Sequence, residues 1–236
     1  MLLNIRILIL CIVLLLQPGL VMALGAGDAP AFDASVVRLQ NKAERLYRDG
    51  HWERAYFIYV NELAAAGDKH AQYMAGYMNL YGHGVEQDVV AASAWFRLAA
   101  ERGVPEYVGV RDRVLAVLNE DDLARSDAEY LALRKQFSDL ALIVRYLSDE
   151  WRERQAASRY LAQENQPGGS RVQDPWSGRW MERSEFISQV DSSMRGRIDY
   201  IASRIGLDGS DIDLTATGIE QLAARVDTYL EVIDDR

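Results

Sequence analysis

The sequence predicts an all-α protein in which an array of helix pairs is followed by a helical bundle. Three observations support this fold class. Apolar residues recur at helical spacing along almost the whole chain, only five prolines interrupt it, and part of the pattern repeats after 36 residues. With 236 residues, 49% of them hydrophobic, the chain is long enough to bury a substantial core.

The first 23 residues predict a signal peptide. Arg6 is the only charge in the first 27 residues, and an uninterrupted apolar run from Ile7 to Leu16 follows it. Val21-Met22-Ala23 suits a signal peptidase, so we expect cleavage after Ala23, with a cut after Ala26 as the alternative. The apolar run is shorter than the roughly 17–25 residues that span a bilayer. An uncleaved anchor remains the other interpretation.

The predicted export and the acidic composition indicate where the protein is located and which classes of partner it does not bind. Cleavage removes Cys11, the only cysteine, together with Arg6, so the formal net charge changes from −9 to −10. An acidic surface disfavours nucleic acid and anionic lipid as partners. We expect no stable membrane insertion after cleavage and a periplasmic location, with secretion beyond the periplasm as the alternative.

Residues 36 to about 66 predict a helical hairpin, the first pair of the array. Asp33 or Ser35 can cap a helix that begins near Val36, and Gly50 permits the turn. The apolar stripes of the two helices are Leu39, Ala43 and Leu46, then Trp52, Ala55 and Tyr59. The pattern of the second helix repeats 36 residues later, where Trp95, Ala100 and Gly103 correspond to Tyr59, Ala64 and Gly67. Such a period predicts stacked helix pairs.

The most specific motif lies between these positions. Ala71-Gln72-Tyr73-Met74-Ala75-Gly76-Tyr77-Met78 is followed by Gly82-His83-Gly84-Val85, Asp88, Ala92, Trp95-Phe96, Ala99-Ala100 and Gly103. This pattern resembles a Sel1-like repeat, a variant of the tetratricopeptide repeat with a longer glycine-containing loop between its helices. The family has Leu where Ala75 stands and usually Tyr where Asn79 stands, so we expect one helix–helix contact to be looser.

The resemblance covers about residues 36–137 and implies an α–α superhelix. The first hairpin looks like an ordinary tetratricopeptide unit with a short turn. A degenerate third pair begins at Pro105, a suitable first helical residue, and continues in a helix capped by Asn119. The resemblance is specific for fold and implies little about chemistry.

Residues 138–236 predict a C-terminal helical bundle. From Leu123 to Leu161 the apolar residues recur in sevens, which predicts one long helix with a kink near Ser138. Two further helices follow. The first covers about Ser184–Ile205, ends at Gly206, and has the inward face Ile187, Val190, Met194, Ile198, Ile201 and Ile205. A Thr217/Glu220 capping box begins the last helix, whose inward face is Ile219, Leu222, Val226, Tyr229 or Leu230, and Ile233. We expect these helices to pack on one another. The alternative is that the long helix forms a coiled coil, as a homodimer or with a partner helix.

A linker over about residues 165–178 separates the long helix from the rest of the bundle. It contains Pro167-Gly168-Gly169-Ser170 and Asp174-Pro175, which are typical of turns and loops. Trp176 and Trp180 flank it, and we expect them to pin the loop onto the bundle.

Motifs for catalysis or metal binding are weak. His51, His70 and His83 have no metal-site spacing, and the mature chain has no cysteine. Residues 208–213 are acidic but miss the spacing of a calcium loop, so a solvated turn is favoured. We therefore predict no cofactor, no metal and no enzymatic activity. An enzyme that cleaves envelope glycan with two carboxylates is the least favoured alternative. It stays open because only the separation of the two carboxylates in space would identify them.

The first helix of each pair lines the concave side of such an array. The binding positions of tetratricopeptide repeats, carried onto this chain, predict a groove formed by nine residues: Gln40, Glu44, Tyr47, Arg48, His70, Tyr73, Tyr77, Leu80 and Tyr81. Four of them are tyrosines, a residue type that anchors protein interfaces. The alternative is that Tyr73 and Tyr77 only fill space between stacked helices.

The sequence thus predicts an exported scaffold or adaptor that binds a segment of a partner protein in the cell envelope through this groove. The resemblance implies the same, because Sel1-like proteins serve as scaffolds for envelope machinery and as regulators of sensor proteins. The alternative is a carbohydrate- or peptidoglycan-binding module, which the tyrosines and the expected location both allow.

Overall fold

The computed structural model describes residues 34–163 and 171–232, and these residues are mostly helical. The helices are α1 (Ala34–Arg48), α2 (Trp52–Ile58), α3 (Lys69–Tyr81), α4 (Val89–Ala99), α5 (Pro105–Leu115), α6 (Glu120–Phe137), α7 (Asp139–Gln163), α8 (Arg183–Ile205) and α9 (Ala216–Leu230); the strands are β1 (Arg171–Gln173) and β2 (Trp180–Glu182). The predicted all-α repeat fold is confirmed. The predicted signal peptide lies outside the described residues.

The first pair is a hairpin of α1 and α2 that turns at Gly50, whose φ is +80°. Ala43 and Ala55 are both fully buried in the core of the repeats, where small side chains let the two helices approach closely. A π-helical turn and a 3₁₀ turn continue α2 to Ala66. α1 begins at Ala34, two residues before the predicted start near Val36, and Asp33 lies outside the described residues.

The second pair, α3 and α4, has a polar cap at the start of each helix. The Asp68 carboxylate accepts hydrogen bonds from the backbone of His70 and Ala71, and Asp88 caps α4 in the same way. The two helices pack tightly, since a Cβ added at Gly76 would lie 2.9 Å from the ring of Phe96.

Asn79, where the Sel1 pattern usually has Tyr, is buried in this pair. Its amide nitrogen donates to the hydroxyl of Tyr56 at 3.1 Å and to the carbonyl of Ala75 at 2.8 Å. Asn79 thus links α3 to the preceding hairpin through a hydrogen bond.

The third pair, α5 and α6, begins as predicted. Pro105 is the first residue of α5, and the Asn119 side chain caps α6 by accepting from the backbone N–H of Asp122. α6 packs against α4, with a buried 2.6 Å hydrogen bond between the hydroxyls of Ser93 and Ser126.

The predicted long helix is in fact two helices. Ser138 separates α6 from α7 with an extended ψ of 156°, so the expected kink is a complete break and the prediction of one continuous helix was wrong. A buried ion cluster holds the start of α7: Lys69 lies 2.7 Å from Glu101 and 3.2 Å from Asp139, and Arg102 also pairs with Asp139. Residue periodicity carries no information about such long-range contacts.

The bundle is formed by α7, α8 and α9. Eight of the predicted inward residues are buried as expected: Val190, Met194, Ile198, Ile201, Ile219, Leu222, Val226 and Leu230. Ile187 and Ile205 are half-buried against the same core. Leu140 and Leu147, two positions of the heptad pattern, are buried in the same core. Because they are used within the chain, they are not available to a partner helix.

The ends of the bundle helices agree with the predictions in part. Gly206 ends α8 in the left-handed conformation with φ +74°, as predicted. Thr215, not Thr217, caps α9 by accepting from Gly218, so the predicted capping box was wrong. Asp208 caps a short 3₁₀ turn, which agrees with the predicted solvated turn. Ile233 lies outside the described residues.

The predicted linker is partly a β-hairpin. β1 and β2 pair antiparallel, with Arg171 opposite Glu182, Val172 opposite Met181 and Gln173 opposite Trp180. Residues 164–170 lie outside the described residues. Trp176 stacks on Phe186 of α8 at 6.1 Å, as expected, but Trp180 is 57% exposed and does not pin the loop.

The last helix also contacts the repeats. Arg134 of α6 is buried between the rings of Tyr130 and Tyr229 and donates to the carbonyls of Leu230 and Val232 at the end of α9. A cation at this end of a helix stabilises its unpaired carbonyls. No helix within residues 34–163 or 171–232 is long and apolar enough to cross a bilayer.

Candidate functional site

Aromatic residues from four helices and one loop form a continuous band across one side of the repeats. Tyr47 of α1 contacts Tyr77 of α3 edge-on, with their ring centroids 6.3 Å apart. Four residues earlier on α3, Tyr73 stacks on Tyr107 of α5 at 5.2 Å. We call the eight residues of this surface the aromatic band: Tyr47, Trp52, His70, Tyr73, Tyr77, Tyr81, His83 and Tyr107.

His83 occupies the centre of one half of the band. Its ring stacks on Trp52 at 4.2 Å with an interplanar angle of 13°, and its Nδ1 lies 2.8 Å from the hydroxyl of Tyr47. Tyr77 and Tyr81 lie within about 6 Å of the same ring. The side chain of His83 therefore connects the loop between α3 and α4 to both helices of the first pair.

Gly84 permits this contact. It has φ +74°, and a Cβ built on it would lie 2.4 Å from backbone atoms of Trp52 and Glu53. The loop thus rests directly on the start of α2. A hollow of about 290 Å³ opens beside it, lined by Gly50, His51, Trp52, Glu53, Arg54 and Gly84.

The other half of the band is centred on Tyr73. Its ring contacts His70 at 6.3 Å and Phe96 at 5.5 Å, in addition to Tyr107. Phe96 belongs to the core. Tyr73 therefore packs against the core on one side and against the other rings of the band on the other side.

Five titratable side chains of the band are held in their neutral forms by burial. Burial raises the pKa of Tyr47 and of Tyr73 above the ordinary value and raises the pKa of Tyr107 to about 12. Burial also raises the pKa of Tyr81 and lowers the pKa of His83. These five rings are therefore uncharged at neutral pH.

The structure brings five of the nine predicted groove residues into the band: Tyr47, His70, Tyr73, Tyr77 and Tyr81. Glu44 and Arg48 are exposed on α1. Gln40 donates to the carboxylate of Asp68 at 2.6 Å, so its side chain links α1 to the cap of α3. Leu80 is only 4% exposed and packs with Phe96 in the core, so its assignment to the groove was wrong.

The prediction missed Trp52, His83 and Tyr107. Trp52 was expected in the core stripe of α2, but it is 40% exposed. His83 belongs to the long loop of the Sel1-like repeat, and only the fold shows that this loop reaches the preceding hairpin. Tyr107 could have been found by carrying the binding positions onto the first helix of the third pair.

The band shows no arrangement typical of catalysis. The partners of His83 described above are aromatic rings and a phenol, not a nucleophile with a carboxylate. Among the described residues, no group of three or more His, Cys, Asp or Glu side chains could hold a metal ion.

Residues 69–104 match the family model of the Sel1 repeat. The chain contains a Sel1 repeat. The match begins with α3 and ends before α5, so it includes the loop that carries His83 and Gly84. Repeats of this family are generally modules for protein–protein interaction and occur typically in non-catalytic scaffolds. Comparison with curated proteins and with solved structures gives no match.

Proposed function

We propose that this protein is an exported scaffold or adaptor that binds a segment of a partner protein at the aromatic band. The band is the observation that supports this proposal. Tyrosine and tryptophan combine a large apolar area with a polar group, and they are enriched among the residues that dominate binding energy at interfaces. Trp52, with 40% of its surface exposed, is the strongest single anchor.

The spacing of the band favours an extended segment as the ligand. Tyr73, Tyr77 and Tyr81 follow one another at four-residue intervals on α3, so their Cα atoms rise by about 6 Å each along the helix. Two residues of an extended chain cover about 6.6 Å. Alternate side chains of an extended partner segment can therefore contact successive tyrosines.

Photo-crosslinking tests the location of the interface. A photoreactive residue replaces Arg48, which is exposed on α1 next to Tyr47, and in a matched control it replaces Glu62, which is exposed on the second helix of the same pair. We expect position 48 to capture a discrete protein in cells and position 62 not to capture it. Capture of the same protein from position 62 alone would contradict the proposal.

The periplasmic location is part of the same proposal. The apolar run from Ile7 to Leu16 and the short side chains before Leu24 support it. Cell fractionation and N-terminal sequencing test it directly. We expect a periplasmic protein that begins at Leu24, whereas an intact Met1 in the membrane fraction would indicate an uncleaved anchor.

A further inference from the structure

The β1–β2 hairpin presents a polar face that carries one large aromatic ring. Residues alternate between the two faces of a strand, and here Val172 and Met181 point toward the bundle core. The outward residues are Arg171 and Gln173 on β1 with Trp180 and Glu182 on β2, and all four are exposed.

The fold covers less than half of the Trp180 side chain. Met181, only 3% exposed, anchors β2 in the core, and Trp176 anchors the turn by stacking on Phe186. Trp180 keeps 57% of its surface in solvent. A large apolar side chain that contributes so little to packing is available to a ligand.

The polar groups around Trp180 can both donate and accept hydrogen bonds. Gln173 stands directly opposite it and donates its amide nitrogen to the carbonyl of Gly178, while its amide oxygen is an acceptor. The Arg171 guanidinium crosses the face and donates to the backbone carbonyl of Trp180 at 3.1 Å. Glu182 supplies acceptors. With one cation and one anion, the face has no net charge.

We propose that this face binds the N-acetylated glycan strands of the cell wall, with one sugar ring stacked on Trp180. A pyranose has one apolar C–H face of about the size of an indole, and hydroxyl groups surround it. A single aromatic ring bordered by an amide, a guanidinium and a carboxylate matches that pattern, and a face without net charge matches an uncharged sugar. The choice of wall glycan rests on the proposed export, but the site is separate from the aromatic band.

Two other occupants fit the face less well. Insertion into a bilayer needs several adjacent apolar side chains. Trp180 is bordered by polar side chains on its own face, and although Trp176 in the turn is half-exposed, its ring is stacked on Phe186 and the turn also carries Ser177 and Arg179. A protein interface normally surrounds its aromatic anchor with other packed residues. An anionic lipid surface would also be repelled by a chain with a formal net charge of −9.

Titration of the full chain, processed as in the cell, with the hexamer of N-acetylglucosamine tests the proposal. Tryptophan fluorescence and calorimetry report binding. We expect Trp180→Ala to weaken it by roughly tenfold or more, a typical effect of losing one aromatic contact. Trp180→Phe should retain part of the affinity because it keeps a ring.

Trp52→Ala is the matched control, since it removes an exposed tryptophan from the aromatic band. It should leave glycan binding unchanged, and Trp180→Ala should leave partner capture by the band unchanged. Circular dichroism confirms that each variant is folded. No binding of the hexamer, or equal weakening by the two alanine variants, would overturn the proposal. Sedimentation with anionic vesicles that depends on Trp180 would overturn it in favour of lipid.

Discussion

Gly84→Ala should separate the loop between α3 and α4 from the start of α2. The substituted residue would keep φ near +74° at a cost of about 1–2 kcal/mol. Its Cβ would also meet the backbone of Trp52 and Glu53 at 2.4 Å, and a backbone cannot yield as a flexible side chain does. The loop must therefore move away from α2.

That movement would separate His83 from Trp52 and from Tyr47. Loss of the ring stacking costs about 0.5–1.5 kcal/mol, and loss of the hydrogen bond costs a similar amount. Together with the strain at positive φ, we expect the free energy of unfolding of the repeats to fall by roughly 2–5 kcal/mol.

Gly50→Ala is the matched control for this experiment. Gly50 has φ +80°, but nothing lies within 4 Å of the position of a Cβ, so only the cost of positive φ applies. Urea unfolding followed by far-UV circular dichroism measures both variants, and near-UV circular dichroism reports the packing of Trp52. Equal losses of stability in the two variants would refute the tight contact between loop and helix.

Three further changes test other parts of the structure. Lys69→Met leaves two carboxylates of the ion cluster without their buried cation and should lower the free energy of unfolding by roughly 3–5 kcal/mol; in urea unfolding, the exposed-pair control Lys135→Met should change it by less than about 1 kcal/mol. In the wild type, the free energy of unfolding should fall between pH 7.5 and pH 5.5, and in His83→Asn it should fall by less. Burial lowers the pKa of His83 in the folded state, so the unfolded chain takes up the proton first and stability falls below about pH 6.5. Arg134→Met should free the end of α9, seen as faster amide exchange near Leu230, and unchanged exchange would contradict its role as a cap.

The sequence predicted best what local residues determine. The Sel1 repeat was identifiable because its glycines, its small residues and Asp88, which caps a helix, each determine the structure within a few positions of themselves. The inward faces of α8 and α9 were predicted for the same reason, since helical periodicity is a local property.

What the sequence missed depends on contacts between distant segments. The break at Ser138 coincides with an ion cluster that joins Lys69 to Asp139, 70 positions along the chain. The hairpin was read as a linker because three-residue strands carry almost no periodicity. In the site, the repeat pattern located the tyrosines of α3, but the stacking of His83 on Trp52 required the path of the loop across the first hairpin.

One comparison tests the central claim, that the aromatic band is the partner-binding surface. Trp52 and Phe57 are both exposed aromatic residues of α2, and at about 100° per residue they lie about 140° apart around the helix. Only Trp52 belongs to the band.

Affinity capture from envelope extract would use the wild-type chain, Trp52→Ala/Tyr81→Ala and Phe57→Ala, each shown to be folded. We expect the double variant to lose a protein that the wild type and Phe57→Ala both retain. Retention by the double variant and loss by Phe57→Ala would contradict the account.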